Sequence, residues 1–237
     1  RRQQHQRQSH KGRVLLLDPV PGRQPCLWRP VADGQQAVDL VNALEPDVVL
    51  MDGGIGTEFY NRGYFLNQCY DSTSVNWDPV RRKWTASVKI WGSGKRMRGY
   101  AESDDFRKWT DTYFMATVDE EDLPGDQVYA MTTFYYETAY LGLWRMYHAG
   151  DSSSSHKVDI QLALSRNATH WERPLRTPFI PCGTAKGSWD YGNNAPSTMP
   201  PIRMGDELWF YYSGRSCDHM GRPEPPGTGA IGLGTLR

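Results

Sequence analysis

Ser103-Asp104-Asp105-Phe106-Arg107-Lys108-Trp109 returns 62 residues later as Ser165-Arg166-Asn167-Ala168-Thr169-His170-Trp171. Both stretches read Ser-x-(Asp/Asn)-x-x-x-Trp, and both follow a run with strand character. Upstream of each lies a hairpin pattern with a Trp in its second strand, Trp84 and Trp144. A recurring unit of about 60 residues with four short strands is the size of a propeller blade. Short Ser, Asp and Asn side chains bond the backbone of their own turn, and a Trp can plug the space between neighbouring sheets. The repeat therefore reads as structural, despite its acids.

Working outward, the flanking runs alternate β-branched and aromatic residues between turn signals. Strands are expected over 73–77, 83–91, 96–103, 128–135, 140–148, 158–165, 208–213 and 230–236. Composition agrees: 9 Trp, 13 Tyr and 7 Phe stand with 23 Gly and 16 Pro, which favours many short strands joined by tight turns. The 237 residues can bury a core as one all-β domain or two small ones.

The character changes near residue 55. Arg13-Val14-Leu15-Leu16-Leu17-Asp18 is an apolar run ending in an acid. Residues 37, 38, 40, 41 and 44 are apolar at helical spacing, and Pro46-Asp47-Val48-Val49-Leu50-Met51-Asp52 reads as a buried strand. Strand, helix and strand form an α/β signature. The expected organisation is an atypical N-terminal segment over 1–55, irregular or α/β-like, and propeller blades over 56–237.

Lys+Arg and Asp+Glu balance at 27 each, and mean hydropathy is −0.66. No basic excess points to nucleic acid, and no apolar run is long enough to span a bilayer. Cys26, Cys69, Cys182 and Cys217 show no zinc-knuckle or CxxC spacing. The sequon Asn167-Ala168-Thr169 falls inside the repeat and reads as a chance triplet. The N-terminus is polar, lacks a signal-peptide core and does not begin with Met. A fragment or processed chain is expected, secreted or periplasmic if a targeting signal has been removed.

Residues 65–237 resemble the five-bladed β-propeller glycoside hydrolase superfamily that includes families 32 and 43. The closest likeness is to uncharacterised bacterial proteins related to the family 32 N-terminal domain. The matching stretches include Asp71-Ser72, Asp78-Pro79, Lys83-Trp84, Glu102-Ser103-Asp104-Asp105-Phe106 and Val158-Asp159-Ile160-Gln161-Leu162-Ala163. Trp171-Glu172-Arg173-Pro174, Gly187-Ser188-Trp189-Asp190 and Gly205-Asp206-Glu207-Leu208-Trp209-Phe210-Tyr211-Tyr212 match as well. The resemblance implies five blades, of which this sequence supplies about three.

In such a propeller, the start of each innermost strand and the loop between strands two and three share one face. The resemblance implies acids at the innermost-strand starts, which here are Asp71, Asp126 and Asp190. Glycoside cleavage needs one protonated carboxyl and one carboxylate, so these three are the expected catalytic groups. The family places a Glu at the general-acid position, and no Glu stands at such a start here. Loops on the same face supply Trp91, Tyr129, His148, Trp189, Asn193, Asn194, Asp218 and His219 as expected sugar contacts. Aromatic faces stack on sugar rings, while amides and carboxylates bond hydroxyls. His148 and His219 lack metal-ligand spacing, so no metal and no cofactor are expected. The expected partner is a carbohydrate, with the oligomeric state open. A glycan-binding propeller without catalysis is the alternative to a glycosidase.

A second, shorter resemblance covers 13–52. Val31–Val41 and Pro46–Asp52 look like the middle of a response-regulator receiver domain, with Asp52 at the phosphoacceptor position and Asp18 at a magnesium-binding one. That reading requires a parallel sheet whose strand ends gather both acids.

Overall fold

The computed structural model describes residues 72–150, 156–222 and 229–237 in full, and the backbone of 12–17, 27–31 and 48–51. Among these residues there is no helix.

The N-terminal strands are β1 (Gly12–Leu17), β2 (Leu27–Val31) and β3 (Val48–Met51), in the order β2-β1-β3. β1 pairs β3 antiparallel, with Val14 opposite Met51 and Leu17 opposite Val48. The strand ends leading to Asp18 and Asp52 therefore lie at opposite ends of this sheet. This corrects the receiver-like expectation, whose chemistry needs both ends on one edge of a parallel sheet. Asp18, Asp52 and the helical pattern of 37–44 lie outside the described residues.

Blade one is a four-stranded antiparallel meander: β4 (Ser74–Asp78), β5 (Lys83–Gly92), β6 (Lys95–Ser103) and β7 (Tyr113–Ala116). Blade two is β8 (Asp126–Tyr136), β9 (Ala139–His148) and β10 (Val158–Ser165). Its outer edge is carried by two bridges, Leu164 to Glu172 and Ile160 to Ile180. In blade three, β11 (Asn193–Pro196) and β12 (Ile202–Met204) share one edge of β13 (Glu207–Arg215), and β14 (Gly229–Leu236) takes the other. β11 and β12 are one innermost strand interrupted at the Pro200-Pro201 pair, because proline cannot donate to the ladder. A single parallel bridge, Val158 to Asn193, joins blades two and three into a curled seven-stranded sheet.

The blades stack through two apolar seams. Tyr100, Met115, Val128, Met131, Trp144 and Met146 fill the first, between blades one and two. Phe134, Leu143, Ile160, Leu208 and Phe210 fill the second, between blades two and three. The innermost strands are also stitched side by side by polar side chains. Ser74 Oγ donates to the Met131 carbonyl at 2.5 Å and Asn76 Nδ2 to that of Thr133 at 3.2 Å. Thr132 Oγ1 donates to the carbonyl of Ser197 at 2.8 Å. Each bond satisfies a buried polar group where two sheets meet edge to face. The order β4, β8, β11 around an axis follows from these contacts. The fold is an all-β propeller of which the described residues build three blades.

The repeat is a turn with the same geometry twice. Asp105 Oδ1 accepts the N–H groups of Arg107 and Lys108, both at 2.8 Å. Asn167 Oδ1 accepts those of Thr169 and His170, at 3.1 and 2.8 Å. The next residue is left-handed in both copies, Phe106 at φ 62° and Ala168 at φ 63°. Trp109 Nε1 and Trp171 Nε1 donate back to the carbonyls of those residues, at 3.2 and 2.9 Å.

Candidate functional site at the axial rim

Antiparallel alternation places the β5–β6 turn, the start of β8, the end of β9 and the starts of β10 and β11 at one end of the blades. The loop after β13 joins them. At this rim His148, the last residue of β9, lies between two acids. Its Nδ1 is 3.0 Å from Asp126 Oδ1 and its Nε2 is 2.9 Å from Asp159 Oδ2. Burial alone would lower the imidazole's pKa. Hydrogen bonds and charge from Asp126 and Asp159 override it and push the pKa up to about 10. His148 is thus a half-buried imidazolium clasped by two carboxylates, tying β8, β9 and β10 together. The ring fills the space between the two acids. In this arrangement Asp126 and Asp159 do not flank an open gap of the kind a glycosidic bond and a water occupy.

Beside the clasp lies an aromatic box with cations. The Tyr129 and Tyr147 rings pack at 6.4 Å, and His219 stands edge-on to both, at 4.9 and 5.0 Å. The Arg96 guanidinium lies 5.0 Å from the Tyr129 centroid, 5.1 Å from Tyr147 and 5.2 Å from Trp91. Arg145 lies 4.6 Å from Tyr129 and Lys89 5.6 Å. Burial, then Arg96 and Arg98, lower Lys89 to about 8. Burial lowers Arg145 to about 10, with Arg215 adding to it. His219 moves down from burial and then from Arg96 and Arg145. Arg145 is held in place by β11, donating to Asn193 Oδ1 at 2.6 Å and to the Asn194 carbonyl at 3.1 Å. Asn193 and Asn194 thereby support the box from below, with Asn194 Nδ2 donating to the Pro181 carbonyl.

The structure gathers Trp91, Tyr129, His148, Asn193, Asn194, His219 and Asp126 at this rim. Other expected site residues are engaged in local contacts. Asp190 Oδ1 accepts from Ser188 Oγ at 2.9 Å, and the Asp190 carbonyl accepts the Gly183 N–H. Its side chain packs against Gly183 and Gly214. Trp189 lies across β13 and β14, where a Cβ on Gly214 or Gly232 would come within 2.6 or 2.5 Å of its ring. It packs on Tyr212 at 5.5 Å and serves blade three. Asp218 caps its own turn, accepting the N–H groups of Met220 and Arg222 and the Arg222 guanidinium. Asp71 lies outside the described residues. Among the described residues no cluster of His, Cys, Asp and Glu has metal-binding geometry, and Cys182 and Cys217 are free thiols.

Sequence reasoning missed Asp159, Lys89, Arg96, Arg98, Arg145 and Tyr147. For Asp159 and Arg145 the signal was a charge inside an apolar strand, as in Val158-Asp159-Ile160 and Trp144-Arg145-Met146. Such charges are rarely buried unless they are paired or hydrogen-bonded. A separate cleft of about 450 Å³ opens at the far end of blade two, lined by Thr138, Ala139, Ser165, Asn167 and His170. It holds none of the expected site residues.

No protein-family model matches this chain, and no curated protein matches it. Solved structures do. An N-acetylgalactosamine deacetylase from F. plautii, in complex with blood group B trisaccharide, superposes with TM-score 0.51 and 15% identity, covering 72% of this chain and 50% of that one. A β-1,2-mannobiose phosphorylase from Listeria innocua, in complex with β-1,2-mannobiose, gives 0.46 and 13%, over 67% and 38%. A family 32 β-fructofuranosidase from Bombyx mori, in complex with sucrose, gives 0.46 and 10%, over 64% and 30%. This chain spans half or less of each of those proteins. At such identities the likeness concerns architecture alone, and it is carried by the first of these structures: this chain shares the fold of about half of that deacetylase.

Proposed function

We propose that this protein acts on carbohydrate and seats its sugar at the axial rim. The observation that supports this best is Trp91. Its indole is 52% exposed at the tip of the β5–β6 hairpin, steadied by Arg96 against the Tyr129–Tyr147–His219 box. An exposed indole backed by a rigid polar group offers a sugar an apolar face and adjacent hydrogen-bond donors. The rim is built for binding. Among the described residues its acids are committed to His148, to turns or to Ser188.

Glycoside hydrolysis is the second reading, and Asp159 Oδ1 favours it. That oxygen is buried and has no hydrogen-bond partner, which is costly for a carboxylate without a role. Asp71 and Asp190 remain the carboxylates proposed from the sequence. The test pairs a glycan-binding screen with a hydrolysis screen on chromogenic glycosides, using Trp91→Ala, Asp71→Asn, Asp159→Asn and Asp190→Asn. Trp91→Ala is expected to weaken binding at least tenfold. Glycan binding untouched by Trp91→Ala would remove the rim from the proposal. Hydrolysis untouched by all three Asp→Asn changes would remove these carboxylates from catalysis.

A further inference from the structure

A chain of zero net charge has gathered cations at this rim. Arg96, Arg145 and Lys89 all lie within 6 Å of one tyrosine ring. Like charges so close repel, and burying them adds a desolvation cost. A fold with other places for its arginines holds such a cluster only where something offsets that cost.

The partners of Arg96 and Arg145 are neutral. Arg96 Nη1 donates to Gln127 Oε1 at 2.8 Å, and its Nε is buried with no hydrogen-bond acceptor. Among the described residues the Arg145 guanidinium donates to the Asn193 amide oxygen and the Asn194 carbonyl. Among the described residues no carboxylate pairs with either guanidinium. Among the described residues, the acids of this rim pair with other groups, Asp126 and Asp159 with His148 and Asp218 with Arg222. The cationic side chains differ in access. Arg145 is anchored in the wall, whereas Arg96 is half-buried and stands beside exposed Trp91. Arg96 is therefore placed to touch a ligand, and Arg145 to supply field behind it.

We propose that the rim recognises a sugar carrying an oxyanion group, a carboxylate or a phosphate ester. Its ring stacks on Trp91 and its anion bonds the Arg96 guanidinium. A planar guanidinium offers paired N–H donors to either group, and the surrounding aromatic rings keep the site dry enough for that bond to count. The sugar part of this inference rests on the carbohydrate reading above. The anion part rests on the charges alone.

The experiment is calorimetric titration of the full chain with four probes: a galacturonic acid disaccharide, the matching galactose disaccharide, glucose 6-phosphate and inorganic phosphate. Wild type, Arg96→Gln and Arg96→Lys are compared at low and high salt. An oxyanion-bearing sugar is expected to bind at least tenfold more tightly than its neutral counterpart. Salt should erode that preference, Arg96→Gln should abolish it and Arg96→Lys should retain part of it. The two charged sugars distinguish carboxylate from phosphate. Equal binding of neutral and charged sugars, or a preference that survives Arg96→Gln, overturns the anion site and leaves the sugar reading standing. Binding of phosphate with no sugar bound does the reverse. No binding of any probe overturns both. Arg96 is half-buried and stands beside exposed Trp91, and glutamine keeps a polar side chain against the buried Tyr129 and Tyr147 rings, so the variant tests recognition without emptying the core.

Discussion

His148 sits where a single imidazole holds three strands, and its charge state should be visible in stability. Its folded pKa is raised to about 10, above the ordinary value of 6.5. Its contribution is therefore fully present below about pH 6.5 and is lost as pH rises towards 10. Lys89 runs the other way. Its folded value of about 8 lies below the ordinary 10.5, so the native state sheds that proton first and gains stability between those values. The two overlap from about pH 8 to 10, and the raw melting profile mixes them. The difference between wild type and His148→Gln isolates the clasp. That gap in thermal midpoint should be widest near pH 6 and should shrink steadily up to pH 10. A gap independent of pH would mean that His148 acts by packing alone.

At the scale of the element, the turn repeat separates strain from packing. Phe106 and Ala168 occupy the same left-handed position, which costs a side chain about 1–2 kcal/mol relative to glycine. Ala168 offers little packing in return, whereas Phe106 is fully buried and stacks edge-on with Trp84 at 5.0 Å and Trp109 at 5.6 Å. Ala168→Gly should therefore raise stability to chemical denaturation, by up to about 1 kcal/mol. Phe106→Gly should lower it by about 3 kcal/mol or more, because the lost ring outweighs the relieved backbone. Equal responses at the two sites would mean that the Phe106 ring adds no net packing to the shared turn. This turn was legible in the sequence because its bonds are local. Asp105 and Asn167 reach N–H groups only two and three residues away, so spacing alone exposes them. The eight expected strands were legible for the same reason, their alternation being a local property. β7, β11 and β12 were not, since four residues or fewer carry too little alternation to register. The clasp and the box were least legible. Asp126 and Asp159 meet at His148 from three strands, and nothing in local spacing reports that meeting.

For the molecule as a whole, the point that fixes blade three on blade two is Gly192. Its carbonyl accepts the Val158 N–H at the start of β10, and its N–H donates to the Arg215 carbonyl at the end of β13, both at 3.0 Å. The chain thus passes from one blade to the next through a residue bonded to both. A Cβ there would lie 2.4 Å from the carbonyl carbon and oxygen of Cys217 and 2.5 Å from the Asp218 nitrogen. Those atoms are backbone and cannot rotate aside, so the segment after β13 must move. Gly192→Ala should cost at least about 1–3 kcal/mol, the usual range for forced overpacking. The loss should have a direction. Blade one meets blade two through Tyr100, Met115, Val128 and Met131, contacts that Gly192 does not touch. Hydrogen exchange in the variant should therefore rise first in β11 and β13 and last in β5 and β6. The displaced segment includes Asp218 and precedes His219, and Asn193 follows Gly192 directly. The same substitution should accordingly weaken ligand binding at the rim even where the fold survives. Uniform exchange across all three blades would instead mean that the propeller opens as one cooperative unit, with no preferred seam.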